Sequence, residues 1–250
     1  MIDGATSKTE RRWDGKTGGR IAARTLKEAF ARIPPDATAR EAVDILTAAI
    51  KDLYERYQVL ETVRTNPVQR ATACVVALSF ARKEVWFVGD CQCLLNQERI
   101  LNEKTIDTIT ANARSMFLEA EIAQGKTIEE LLQHDTGRDF ILPLLERQML
   151  FQNNPAAGQY GFSIIDGFTV SDEGIRIHPL PAEIQTIVLA SDGYPSLKET
   201  LEASEKALHE ILHDDPLLFR MYKTTKGLNQ ENVSFDDYNG TKKLVHPHFA

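Results

Sequence analysis

Hydrophobic spacing along the chain changes period several times, and each change marks a new element. After Gly18-Gly19, the residues Ile21, Ala22, Leu26 and Phe30 recur at near-helical intervals from Arg20 to Arg32, and Pro34-Pro35 ends the run. Thr38 and Glu41 form a capping box ahead of Val43, Leu46, Ile50, Leu53 and Tyr57, which recur every three or four residues and predict a second, long helix. From Arg70 the pattern turns strand-like. Residues 71–80 and 84–88 are short β-rich runs separated by Arg82-Lys83, which predicts a buried hairpin, and Cys91 to Ile100 is expected to complete a meander.

Asn102 to Asn154 returns to helical patterning, with a second capping box at Thr127 and Glu130. Tyr160–Phe168 and Gly174–Pro179, joined by Ser171-Asp172-Glu173-Gly174, predict another hairpin, and Thr186–Ala190 a further strand. Ser196 and Glu199 are expected to cap a helix running to about His213, and Thr241–Val245 has strand character. Strands in meanders with helical blocks between them, in place of regular alternation, predict an α+β fold dominated by antiparallel sheet. Without repeats or linkers, residues 1–250 are expected to form one domain.

Composition narrows the function classes. Hydrophobic residues are 42% and charged residues 26% of the chain, with no apolar run near the ~20 residues that cross a bilayer. No membrane partner is expected, and the opening Met1-Ile2-Asp3-Gly4 lacks the basic and apolar stretches of a secretory signal, so a cytoplasmic location is expected. The formal charge of −7 and the lack of basic stretches with interleaved aromatics argue against nucleic acid. Cys74, Cys91 and Cys93 are an odd number, which argues for reduced thiols over a disulfide framework.

The candidate chemistry lies in carboxylates where apolar runs end: Ile2-Asp3-Gly4, Val88-Gly89-Asp90, Leu189-Ala190-Ser191-Asp192-Gly193 and Phe235-Asp236-Asp237. Strand ends let a rigid sheet aim side chains into one cleft, and hard divalent cations bind carboxylate and carbonyl oxygen. Any one Asp-Gly could equally be a turn dipeptide that holds nothing. Asp166-Gly167 is assigned that structural role, because strand-like residues continue past it to Phe168 and Val170.

With their surroundings, Ile2-Asp3-Gly4, Gly18-Gly19-Arg20-Ile21-Ala22-Ala23, Val88-Gly89-Asp90, Leu189-Ala190-Ser191-Asp192-Gly193 and Ser234-Phe235-Asp236-Asp237 follow a known order. The chain resembles the metal-dependent protein phosphatases, the type-2C serine/threonine family. That resemblance implies two packed, mainly antiparallel sheets flanked by helices, a four-layer αββα sandwich. It also implies hydrolysis of phosphoserine or phosphothreonine on a phosphoprotein substrate, by water activated at two Mg²⁺ or Mn²⁺ ions and without a protein nucleophile. Asp3 would bridge the ions, the Gly4 carbonyl would bind one, Asp192 and Asp236 would hold the other, and Asp90 could serve a weaker third ion.

The family also carries an earlier strand with a Glu-Asp pair and a phosphate-gripping Arg, for which this chain has no counterpart before Asp3. The expectation is an upstream extension or a shortened member, the latter including an inactive pseudophosphatase that works as a binding module. Trp13-Asp14-Gly15-Lys16-Thr17-Gly18-Gly19 is a second match to the first Asp-Gly, but Glu10-Arg11-Arg12 is a poor strand, so Asp3 is preferred to Asp14. A different class, a zinc peptidase, is raised by His209-Glu210-Ile211-Leu212-His213. Asp214, Asp215 and Pro216, directly after it, break the helix such a site needs. Oligomeric state is not encoded in any of these features.

Overall fold

The computed structural model describes residues 1–228 and the strand pair member Leu244–Val245. Two four-stranded sheets form the centre. In the first, β1 (Ile2–Gly4), β2 (Ala73–Ser79), β3 (Glu84–Val88) and β6 (Arg176–Pro179) lie side by side in that order, all antiparallel. In the second the order is β5 (Glu98–Ile100), β4 (Gln92–Leu95), β7 (Ile187–Ala190) and β8 (Leu244–Val245), again antiparallel.

The period-2 alternation of β2 explains the layering. Val75 and Ala77 face helices α1 (Gly18–Phe30) and α2 (Ala39–Arg56), where they join Leu26, Leu46, Ile50 and Leu53 in one core. Cys74 and Val76 face the other way and meet Cys93, Leu95 and Ile187 of the second sheet. On that sheet's outer face, Leu94, Val188 and Ala190 pack on Leu208 and Leu212 of α7 (Leu201–Asp214). The order helix, sheet, sheet, helix is the four-layer α+β sandwich expected above. With both of its faces covered, β2 must read as a continuous apolar run, which is why its sequence shows so little polar alternation.

Both capping boxes form. Thr38 caps α2 with Glu41, and Thr127 caps the short α5 (Ile128–Gln133) with Glu130. The short α3 (Leu60–Thr65) follows α2. The helical block of the middle is α4 (Thr105–Ala123), α5 and α6 (Thr136–Arg147); α4 packs along α6, and Leu118 and Leu131 close over Leu217 and Phe219. None of the described helices is long and apolar enough to cross a membrane.

Three expectations need correction. The stretch Cys91–Ile100 does not extend the meander: it is two strands, β4 and β5, in the other sheet. Gly89 causes the switch, because its φ is +92° and any Cβ there would stand 2.3 Å from Cys74 Sγ. Tyr160–Phe168 does not form a hairpin with β6. Among the described residues it makes only isolated bridges, Ala73 to Ile165 and Gln152 to Phe162, while β6 pairs with β3. The buried Asp166 organises this segment, bonding to Arg70, Gln152, Asn153 and the Phe168 N–H, so a side-chain network stands in for a ladder. That is the structural role assigned to it. Finally, α7 is capped by Thr200, whose side chain accepts from Ala203 N, and not by Ser196 with Glu199.

Candidate active site

The first strand puts Asp3 opposite Cys74 in the β1–β2 register, and opposed residues of an antiparallel pair share a face. Since Cys74 belongs to the core between the sheets, Asp3 stands at the mouth of that gap. Gly4 has a packing reason of its own. A Cβ on Gly4 would lie 2.3 Å from the Gly19 carbonyl oxygen, and one on Gly19 would lie 2.2 Å from that of Ala5. The Asp3-Gly4 and Gly18-Gly19 motifs are thus two sides of one contact, in which the start of α1 presses onto β1. Gly4→Ala is expected to destabilise by about 1–3 kcal/mol through overpacking, measured by urea unfolding; an unchanged midpoint would show the contact to be yielding.

Asp3, Gly4, Asp90 and Asp192 all line a single cleft of about 530 Å³, between the ends of the sheets and the α4–α6 block. Burial of Cys91 among Asp3, Asp90 and Asp192 pushes its thiol well above the usual range, first by desolvation and then by those negative charges. It remains a reduced, protonated thiol, as do its buried neighbours Cys74 and Cys93.

Asp192 sits in a loop that is clamped from behind. Gln92 Nε2 donates to the Ser191 and Tyr194 carbonyls at 2.7 and 2.9 Å. Arg99 reaches the Pro195 and Tyr194 carbonyls at 2.8 and 3.0 Å while gripping Gln92 Oε1. The geometry of the loop depends on Gln92. Gln92→Leu removes the bonds to the Ser191 and Tyr194 carbonyls and takes one of the acceptors of Arg99; we expect divalent-ion affinity to fall about 10- to 100-fold, read by Mn²⁺ titration, and an unchanged affinity would reduce the clamp to packing.

Asp90, to which the resemblance gives a third ion, is held by Lys104. Nζ lies 2.5 Å from Asp90 Oδ2, with Asp107 at 3.7 Å. Burial works against the ammonium, but Asp90 and Asp107 outweigh it and hold Lys104 well above its usual range. The same cleft is also lined by a group of cations, Lys8, Arg138 and Lys226. Lys8 donates to the Thr6 carbonyl and Lys226 to the Thr6 hydroxyl, at 2.8 and 3.0 Å. Burial, with Arg138, Lys226 and Lys104 close by, lowers Lys8 to about 7.

The donors fit Mg²⁺ or Mn²⁺ in kind, since Asp3, Asp192 and the Gly4 carbonyl offer hard oxygen on one cleft. In number they are incomplete: among the described residues no three His, Cys, Asp or Glu side chains gather closely enough to hold an ion. Asp236, the remaining expected ligand, lies outside the described residues.

The competing positions are elsewhere. Asp14 is exposed in a tight turn with φ +48° and does not line the cleft. His209 and His213 are exposed on α7, and neither lines the cleft.

No family model and no curated protein matches the chain. Solved structures that align with it include a stage II sporulation E family protein from Thermanaerovibrio acidaminovorans, at 15% identity and TM-score 0.40 over 84% of this chain and 85% of that one. The Mycobacterium tuberculosis serine/threonine phosphatase PstP/Ppp aligns at 16% identity and TM-score 0.36, over 85% and 78%. The catalytic domain of PstP in complex with two manganese ions aligns at 13% identity and TM-score 0.37, over 85% and 90%. Likeness at this level establishes neither the site nor the activity of this chain; the fold stands on its own strand pairing and packing.

Lys8, Lys104, Arg138 and Lys226 carried no signal in the sequence. They are single basic residues in loops and helices, and only the return of residues 217–226 to the cleft beside α4 and α6 makes them a group.

Proposed function

We propose that this chain is a metal-dependent phosphatase of the type-2C class, acting on phosphoserine or phosphothreonine monoesters of a phosphoprotein, with Mg²⁺ or Mn²⁺ at Asp3, the Gly4 carbonyl and Asp192, and Asp236 as a further ligand. The observation that carries it is the pairing, within one cleft, of the strand-end carboxylates Asp3 and Asp192 with the cations Lys8, Arg138 and Lys226. A phosphomonoester hydrolase needs both: oxygen donors for the metal, and positive charge for a dianionic substrate. Divalent ions bound there would activate a water and offset phosphoryl charge. The chain's own part is to draw the dianion in, orient it against the carboxylate wall and narrow its access to water.

The test is turnover of a phosphoserine peptide and of a small aryl phosphate, with Mn²⁺ supplied and then chelated. Turnover that requires Mn²⁺ supports the proposal, and a folded protein inert towards both substrates overturns it in favour of a phosphatase-shaped binding module. That second reading is favoured by one observation, the incomplete set of acidic ligands among the described residues.

Lys8 gives the cleft a pH dependence. Below its folded value of about 7 it is a cation, facing Arg138 on α6, Lys226 on the returning segment, Lys104 just ahead of α4 and Asp107 on α4. Sulfate, a dianion across this range, should therefore bind more weakly as pH rises through about 7. Calorimetry on Lys8→Met should lose that slope; a native protein with a flat profile would remove Lys8 from the anion site.

A further inference from the structure

The strand-end carboxylate Asp90 has a cation beside it, and that cation belongs to the chain. Lys104 Nζ stands 2.5 Å from Asp90 Oδ2, and the two side chains are only 15% and 16% exposed. The same ammonium lies 3.7 Å from Asp107 Oδ2 and 5.1 Å from the centre of the Phe162 ring, so it is enclosed on three sides. Asp90 also lines the cleft beside Asp3 and Asp192. The turn that presents it is fastened by Asn102 Nδ2, which donates to the Gly89 carbonyl at 2.5 Å. Lys104 follows two residues later and opens α4, so one short segment both fixes the turn and delivers the ammonium.

A divalent ion could reach Asp90 only by driving the ammonium out of this enclosure, or by binding beside it. The first costs Lys104 its close ion pair with Asp90, and the second puts two positive centres a few ångströms apart where little water screens them. We propose that Lys104 is a tethered cation standing where Asp90 would otherwise take a metal ion, so that divalent ions enter this cleft without Asp90. This rests on the proposed function only in placing ions at Asp3 and Asp192. It also means that the charge beside Asp90 cannot be stripped by a chelator, unlike the charge supplied by exchangeable ions.

Equilibrium dialysis against Mn²⁺, with unfolding midpoints measured in EDTA and in Mn²⁺, tests this on the full chain. The native protein and Asp90→Asn should bind the same number of ions. Lys104→Met, which leaves Asp90 and Asp107 without their cation, should bind one more, and Mn²⁺ should raise its midpoint further than it raises the native one. Combining Lys104→Met with Asp90→Asn should remove the added ion. A native count that falls in Asp90→Asn overturns the proposal, because Asp90 is then already a ligand; so does a folded Lys104→Met that gains no ion. Should Lys104→Met fail to fold, Lys104→Gln serves in its place, and the comparison of native with Asp90→Asn stands alone. A native protein that binds no Mn²⁺ fails the proposed function, while an ion gained by Lys104→Met would still sustain the role of Lys104.

Discussion

Asp192→Asn is expected to lose at least about 100-fold of Mn²⁺-dependent phosphomonoester turnover, because even residues that merely orient a metal ligand cost about 10- to 100-fold when replaced. The change is nearly isosteric and removes only charge. Asp192 is half-buried on the cleft, in a loop whose carbonyls are held by Gln92 and Arg99, and those bonds do not involve its own carboxylate. Unfolding in EDTA should therefore remain close to native while Mn²⁺ affinity falls. Turnover unchanged from that of the native protein would return Asp192-Gly193 to the status of a turn dipeptide and take the centre of the proposed site with it.

Arg114→Ala should produce the largest loss of stability, about 3–5 kcal/mol, since it removes one partner of a buried ion pair. Arg114 on α4 is fully buried, with Nη2 at 2.6 Å from Asp135 Oδ2. Its guanidinium also donates to the Leu217, Leu218 and Thr224 carbonyls, at 2.9, 3.3 and 3.1 Å. Asp215 ties the same segment from within by accepting from the Phe219, Arg220 and Met221 N–H groups. The segment goes on to Lys226, so Arg114 supports one wall of the cleft without touching it. Urea unfolding checks the magnitude, and sulfate binding in the surviving folded fraction should weaken as well. A loss under ~1 kcal/mol, the scale of an exposed pair, would mean that water replaces the guanidinium.

Local rules carried the helices. Thr38 with Glu41 and Thr127 with Glu130 form the boxes their spacing predicts, because a capping box is satisfied within four residues and needs nothing from the rest of the chain. The hairpin of β2 and β3 was equally legible, being two apolar runs joined by a short polar turn. Ser196 misled because its spacing to Glu199 imitates a box, whereas Thr200 is the residue that bonds to the helix. Tyr160–Phe168 misled because β-rich composition says that a segment is buried, not that its backbone finds a neighbour. Asp166 and its four partners satisfy that segment through side chains.

The carboxylates divide in the same way. Asp3, Asp90 and Asp192 could be singled out because apolar runs end at each, and Asp14 set aside because its flank is charged. Periodicity and strand ends are local properties, and by itself the sequence determined the α+β class, the main helices, most of the strands and the candidate acids. Only the tertiary structure decided that Gly89 sends the chain into a second sheet, that Gly4 and Gly19 must touch, and that Lys8, Arg138 and Lys226 share a cleft with those acids. It also decided that Asp90 belongs to Lys104. The physical reason is reach: charges act across a few ångströms of space whatever their separation along the chain, so residue 8 and residue 226 become neighbours only when the sheets and helices have packed.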